Sequence, residues 1–410
     1  MASVLPFRAY RPAEGLEKKV SALPYDVIDV NQAKAEAKDN QYSFLHIDKA
    51  EIDIENLTDI YSKEVYAKAK ENLDKFISDG VLVQDEKPSL YIYRLKDGTH
   101  TQTGIAACTL VEEYLNGTIK KHELTRKEKQ NDRKEHIKAC KAHTGPIFMA
   151  YRKREEINNI VNEYTKNEPE FRFMAKDGVE HIVWKIDDEE TIEKLVNEFK
   201  KVGNLYIADG HHRNAAACDV YKEMKENGDD ITEAGKYLSV LFPSDELEIL
   251  SYNRTVSDLN GLTEDELIEK LSEKFYIMPY TKQGEFEPIM PHQFGMFINN
   301  RWYILTSAEE FDEKPAEETV DTAVLYNDLL APVLGIGDIR TDKRIKFFGG
   351  KNAMLQLQLA IITGQAKIAF SLYPTSMDEI MAVADNEKIM PPKSTWFEPK
   401  LLSGLFVHKF

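Results

Sequence analysis

The sequence predicts an α+β protein of two lobes, and three observations carry that reading. The chain has 410 residues, more than one hydrophobic core usually serves, since single cores rarely grow past roughly 250–300 residues. Hydrophobic residues make up 42% of it and charged residues 30%, a globular composition. Stretches with helical spacing of apolar residues alternate with short strand-like runs bounded by turn residues, with no internal repeat and no low-complexity tract.

Taken in order, Leu23-Pro24-Tyr25-Asp26-Val27-Ile28 sets a tyrosine and a carboxylate between a proline turn and the start of an apolar strand. Ile60 to Ser78 carries Val65, Ala69, Leu73 and Phe76 at helical spacing and stops at Gly80, where a glycine in the left-handed region would end a helix. Ser89 to Leu95 and Thr103 to Val111 flank Asp97-Gly98, the signature of two antiparallel strands joined by a turn. A charge-rich exposed helix is expected over 127–142. Amphipathic helices opening on threonine are expected over Thr191 to Lys200 and Thr263 to Lys274. Short strands follow at Gly295 to Ile298 and Trp302 to Leu305, amid many Asp and Glu residues between 256 and 320. The prolines of Met390-Pro391-Pro392-Lys393-Ser394-Thr395 and of Glu398-Pro399-Lys400 forbid a regular helix and fix an extended C-terminal loop. The lobe boundary is placed near 255, giving lobes of 1–255 and 256–410.

A net charge of −17 opposes non-specific attraction to nucleic acid and to anionic membrane. Three cysteines, Cys108, Cys140 and Cys218, have no close pairing and fit a reducing compartment. The first residues lack the apolar core of a signal peptide, and no stretch reaches the ~18 apolar residues of a membrane helix. A cytoplasmic location is expected.

Two constellations carry the chemistry. Residues 204–217 run from a short apolar strand through Asp209-Gly210-His211-His212-Arg213 into a strong helix-forming stretch. Free N–H groups and the dipole at such a helix start attract anions by up to about 1 kcal/mol, and Arg213 adds a planar fork matched to phosphate oxygens. The bland alternative is that Asp209 merely caps the helix. The second constellation is Lys120-Lys121-His122-Glu123-Leu124-Thr125-Arg126, continuing to Asp132-Arg133 and His136. Residues 118–154 hold 12 Lys or Arg against 4 Asp or Glu, a local charge of +8 in an acidic chain. On a helix Lys129, Asp132, Arg133 and His136 share one face; a solvated face laced with ion pairs is the alternative. Arg126 stands where a His-Glu-x-x-His protease motif needs its second histidine, and a zinc site drawn from His122, His136, His143 and His211 stays open as a minor alternative, although no pair among them has ligand-like spacing and no cysteine supports it. Tyr252-Asn253-Arg254 follows a hydrophobic run as a further polar group. No glycine-rich phosphate loop occurs; Gly335-Ile336-Gly337 lacks the third glycine.

Together, Pro24-Tyr25-Asp26-Val27-Ile28, His122-Glu123-x-Thr125 with Asp132-Arg133, Asp209-Gly210-His211-His212-Arg213, Asn253-Arg254 and Met390 to Thr395 closely resemble, in order, the bacterial family called domain of unknown function 1015. The Asp-Gly-His-His-Arg turn is also similar to the phosphate-binding turn of the ParB/sulfiredoxin-like superfamily, which includes partition proteins, sulfiredoxins and free-serine kinases. The resemblance implies a ParB/sulfiredoxin-like mixed α/β core over 1–255 with an additional C-terminal α/β lobe whose last loop returns to the site. Sulfiredoxins carry a cysteine where His211 stands, so their thiol chemistry has no nucleophile here, and Cys218 reads as core. Partition proteins append DNA-binding elements that this chain does not suggest. The free-serine kinases share the turn itself.

That likeness implies a nucleotide-dependent phosphotransferase acting on the hydroxyl of a small molecule, best matched by free L-serine, with Mg2+ and ATP or ADP. Gly210, His212 and Arg213 would hold the phosphates, and Asp209 the metal ion or the turn, with His211 beside them. Glu123 is the first choice of base, with Asp26 its rival. Arg126, Arg133 and Lys393 would neutralise the remaining charge, and Asn253 and Arg254 are assigned with them to the nucleotide. A nucleotide-hydrolysing switch without an acceptor, and a non-catalytic module for an anionic ligand, remain the alternatives.

Overall fold

The computed structural model describes residues 2–410. The chain divides into two compact units, one of Met1–Lys121, Thr125–Leu247 and Pro399–Phe410, the other of His122–Leu124 and Glu248–Glu398. The secondary structure is mixed helix and strand throughout.

The first unit is built on an eight-stranded mixed sheet. Its strands are β1 (Leu90–Asp97), β2 (His100–Leu110), β3 (Ile119–Lys120), β4 (Ile147–Tyr151), β5 (Phe171–Met174), β6 (Glu180–Ile186), β7 (Leu205–Asp209) and β8 (Lys236–Pro243). They lie in the order β3-β7-β4-β8-β2-β1-β6-β5. The β3–β7 and β4–β8 pairs are parallel and the others antiparallel. The β1–β2 hairpin turns at Gly98, whose φ of 58° a glycine adopts without strain. Central strands β4 and β8 are buried along almost their whole length, as strands covered on both faces are, and β4 reads as a continuous apolar run.

Helices α1 (Lys63–Ser78), α2 (Lys127–Cys140), α3 (Glu155–Tyr164), α4 (Glu189–Phe199) and α5 (His211–Asn227) cover this sheet and its flanks. Ile105, Met149, Ile207 and Leu241 of the sheet join Ile157, Leu195, Phe199, Ala216 and Val220 of the helices in one core. A second cluster gathers Phe44, Leu73, Phe76, Val81, Cys140 and Val407. Helix α1 ends as expected: Val81 N–H bonds the Phe76 carbonyl and Gly80 N–H the Ile77 carbonyl, with Gly80 at φ 71°.

The second unit carries a six-stranded antiparallel sheet of β9 (Asn253–Val256), β10 (Phe275–Pro279), β11 (Gln293–Ile298), β12 (Arg301–Ser307), β13 (Ile345–Phe348) and β14 (Ile368–Leu372), in the order β10-β12-β11-β14-β9-β13. Phe294, Leu305, Leu329, Ile368 and Phe370 form its core. The short ladder of Glu248–Leu250 with Trp396–Glu398 joins the two ends of the segment between Leu247 and Pro399.

Four expectations change. The proline turn at Pro24 leads not into a strand but into the helix Val30–Ala37, because Asp29 and Gln32 form a capping box across its first turn. The helix expected from Thr191 starts at Glu189, capped by Asp188, whereas the one from Thr263 starts as expected with that residue as cap. The second unit begins at Glu248 rather than near 255, so that β9 belongs wholly to it. Finally, residues 399–410, expected in the C-terminal lobe, belong to the first unit, where His408–Lys409 pairs with Ala142–His143. Among the described residues, no helix is long and apolar enough to cross a membrane.

Candidate functional site

The Asp209-to-Arg213 turn follows a strand that is broken just before it. Strand β7 pairs with β4 in regular register through Ile207 and then shifts, Asp209 facing Phe148. Such a bulge re-aims the residues beyond it. Gly210 follows at φ 90°, a conformation that costs an L-residue ~1–2 kcal/mol, and the 17-residue helix α5 starts at His211. The first N–H groups of α5 have no side-chain cap, so the turn keeps the donors that favour an anion.

Asp209 does not serve as the cap. Its Oδ1 accepts the N–H of Gly210 at 2.7 Å, and its Oδ2 accepts from Lys400 Nζ at 2.9 Å. Burial alone would raise its carboxyl pKa, but Lys400, Arg213 and the Gly210 amide together hold it well below the usual carboxylate range. The Asp209 carboxylate therefore faces two cations, Lys400 and Arg213. The pairing with Lys400 also makes Asp209 a poor magnesium ligand, since a metal ion there would meet the ammonium group directly. Asp209 fixes the turn.

Arg213 lies folded back over that turn. A Cβ on Gly210 would sit 3.3 Å from its Nε, and one on Gly145 would sit 3.0 Å from its Nη1. Two glycines thus make the space that the guanidinium occupies. Nη1 donates to the Pro146 carbonyl at 2.6 Å, while the buried Nε has no hydrogen-bond partner among the described residues. A buried donor without a partner costs ~1–3 kcal/mol until something accepts from it.

The part of the second constellation from Thr125 onward lies in the first unit with that turn. On α2, Asp132, Arg133 and His136 turn inward as one buried face, and Lys129 is half-buried beside them; the helix expected to be exposed is exposed on its other side only. Arg133 is clasped by Asp132, Nε to Oδ2 at 2.9 Å, and its guanidinium carbon lies 4.0 Å from the ring centre of Tyr25. Tyr66 donates to the other oxygen of Asp132 at 3.1 Å. His136 bonds the Ile47 carbonyl at 3.0 Å, and burial with the nearby Arg133 lowers its pKa.

Tyr25, Arg133, His136, Thr144 and Arg213 line one small pocket, open in part to solvent. Asp48 is its carboxylate, accepting from Thr144 Oγ1 at 2.7 Å. Two guanidinium groups against that acid give the pocket an excess of positive charge, which favours an anionic group at its mouth.

The remaining residues singled out by the sequence are placed as follows. His211 is buried at the first position of α5. His212 is half-buried, and its Nε2 accepts the backbone N–H of Arg126 at 3.0 Å, which puts its proton on Nδ1 and ties the start of α2 to the start of α5. The Arg126 side chain is exposed, as is Asp26 beside the buried Tyr25. Glu123, Lys393, Asn253 and Arg254 lie in the second unit. There Asn253 and Arg254 are 0% exposed. Asn253 Oδ1 accepts from the Leu372 amide, and Arg254 donates to the Tyr252 and Lys393 carbonyls, each at 3.1 Å. Burial lowers the Arg254 pKa to about 10. These contacts brace the loop at Lys393, whose φ is 63°.

Sequence reasoning did not pair Lys400 with Asp209, and it passed over Thr144-Gly145-Pro146, whose small residues and proline before a strand were the only local signal. Cys108, Cys140 and Cys218 are buried free thiols.

Several solved structures are similar in outline. A C-terminally truncated SbnI from Staphylococcus aureus has 14% identity and a TM-score of 0.39, over 73% of this chain and 85% of that one. A conserved hypothetical protein from Pyrococcus furiosus has 12% identity and a TM-score of 0.36, over 74% and 94%. A free serine kinase in complex with AMP has 12% identity and a TM-score of 0.37, over 74% and 91%. No curated protein matches the chain. The sequence model of the family described as "Protein of unknown function (DUF1015)" matches residues 4–329, and the chain belongs to that family.

Proposed function

We propose that this protein is a nucleotide-dependent phosphotransferase that moves a phosphoryl group to the hydroxyl of a small molecule, with free L-serine as the first acceptor to test. One observation carries the reading: at the start of α5 the buried Nε of Arg213, whose guanidinium faces Asp209 together with Lys400, awaits an acceptor. A phosphoryl oxygen supplies that acceptor. Phosphoryl transfer needs mainly positioning and charge stabilisation, and the turn offers fixed backbone donors, Arg213 and, across the pocket, Arg133. The Asp-Gly-His-His-Arg motif that resembles free-serine kinases forms this turn, which supports a nucleotide as donor. The base is one of two carboxylates, Glu123 or Asp26.

Phosphorus NMR of ATP or ADP incubated with magnesium and L-serine tests the reading. A phosphoserine signal is expected, absent in Arg213→Ala and in one of Glu123→Gln and Asp26→Asn. Nucleotide consumed at the same rate with and without serine would replace the kinase by a switch.

A further inference from the structure

We infer that a cavity at the far end of α2 and α5 binds a small organic amine, one ammonium group on a compact aromatic or aliphatic body; this stands apart from the phosphotransferase reading. The cavity holds about 490 Å³, within the ~300–1,000 Å³ of small-molecule sites, and its lining belongs wholly to the first unit.

Two helices set its place. They run side by side in the same direction, joined by successive cross-links. The Arg126 N–H bonds His212 where both begin, Gln130 Nε2 donates to Asp219 Oδ2 at 2.6 Å, and Lys134 lies 2.6 Å from Glu223, which Lys138 also pairs. The cavity opens beside the last two turns of α5, roughly 15–25 Å along that helix from the Gly210 turn. Val220, Met224, Ala234 and Phe410 make its apolar wall. Val220 and Ala234 are each 3% exposed, whereas Met224 and Phe410 are half-buried, so a thioether and an aromatic ring are accessible to a guest.

The charges at the rim select the sign of that guest. Of its four acids two are already engaged: Glu223 by Lys134 and Lys138, and Glu233 by Lys236 at 2.6 Å. Asp229 and Asp230 follow the end of α5, are exposed, and form no ion pair among the described residues; Asp230 accepts only from its neighbour, the Thr232 N–H at 2.9 Å. One unpaired cation stands against them, Lys141, at the end of α2. The C-terminal ends of both helices add partial negative charge. An anion would meet two carboxylates and two helix ends there, and a neutral guest would leave them unused. An ammonium group answers them while its body covers the apolar wall.

Isothermal titration of the full chain at low salt with 2-phenylethylamine, 2-phenylethanol and 3-phenylpropionate tests this. Saturable binding of the amine is expected, with a Kd of about 1 mM or below and at least about tenfold tighter than for the alcohol or the acid. The double variant Asp229→Asn, Asp230→Asn should weaken the amine to the level of the alcohol, and Met224→Lys should abolish its binding. Both aspartates are exposed, and asparagine keeps an acceptor for Thr232, so the double variant folds even if Met224→Lys does not. No saturation by about 10 mM, an alcohol or acid that binds as tightly as the amine, or an amine that binds the double variant as it does the wild type overturns the site.

Discussion

Lys400 Nζ lies 2.9 Å from Asp209 Oδ2 across 191 residues of chain, and this ion pair sets the electrostatics of the Gly210 turn. Lys400 is nearly buried and the Asp209 side chain 29% exposed, so the pair is partly shielded from solvent and each partner depends on the other.

Lys400→Met should lower stability by about 2 kcal/mol, the usual loss for a hydrogen bond to a charged group. The Asp209 pKa is depressed in the folded protein, so its contribution is present above the ordinary carboxylate range and is lost as pH falls below it. Urea unfolding at pH 7 and at pH 3 should therefore show a difference between wild type and variant that shrinks in acid.

Gly210→Ala forces an L-residue to φ 90° and sets its Cβ 3.3 Å from the Arg213 guanidinium. The expected cost is ~1–2 kcal/mol from the backbone alone, with Arg213 displaced as well. Gly145→Ala has no such backbone strain but crowds Arg213 Nη1 and Ser403 Oγ at 3.0 Å. Both should weaken ADP binding in a titration, and Gly210→Ala should lose more stability in urea.

His143 is buried, stacked on His408 with ring centres 5.9 Å apart, and burial with that neighbour lowers its pKa to about 3. Its unfolded value is near 6.5, so between those limits the unfolded chain binds the proton and the folded one does not. Stability should rise with pH across this window. His143→Phe, which keeps the stacking, should reduce the slope by about one proton's worth, ~1.4 kcal/mol per pH unit.

Asp321 in the second unit runs the other way. Burial raises its pKa to about 7 although the His292 amide donates to it at 2.7 Å. The folded form holds this proton where the unfolded chain has lost it, so its stabilising contribution is full below the ordinary carboxylate pKa and declines as pH climbs through 7. Asp321→Asn should unfold at higher urea than wild type at pH 8.5, by on the order of 2 kcal/mol, and the gain should vanish near pH 4.

The elements legible in the sequence were those whose cause is local. Gly80 ends α1, Gly98 turns the first hairpin and Thr263 caps its helix because each acts within a few residues. The helix after Ile28 was missed because two apolar residues resembled a strand start, while Asp29 and Gln32 outweighed them. The Asp209-to-Arg213 turn was readable since its parts are contiguous. Its partner Lys400 was not, because nothing in a sequence measures a contact 191 residues long. Arg254 was legible as a polar residue but not in its contacts: only the fold reveals that its Nη groups donate to the Tyr252 and Lys393 carbonyls.

The return of Pro399–Phe410 to the first unit also bears on how the protein is made. On the ribosome, the eight strands of the large sheet emerge long before Lys400 and the His408–Lys409 ladder that complete their unit. The intervening segment can fold while the first unit waits with an open seam, a vulnerable interval of the kind chaperones attend.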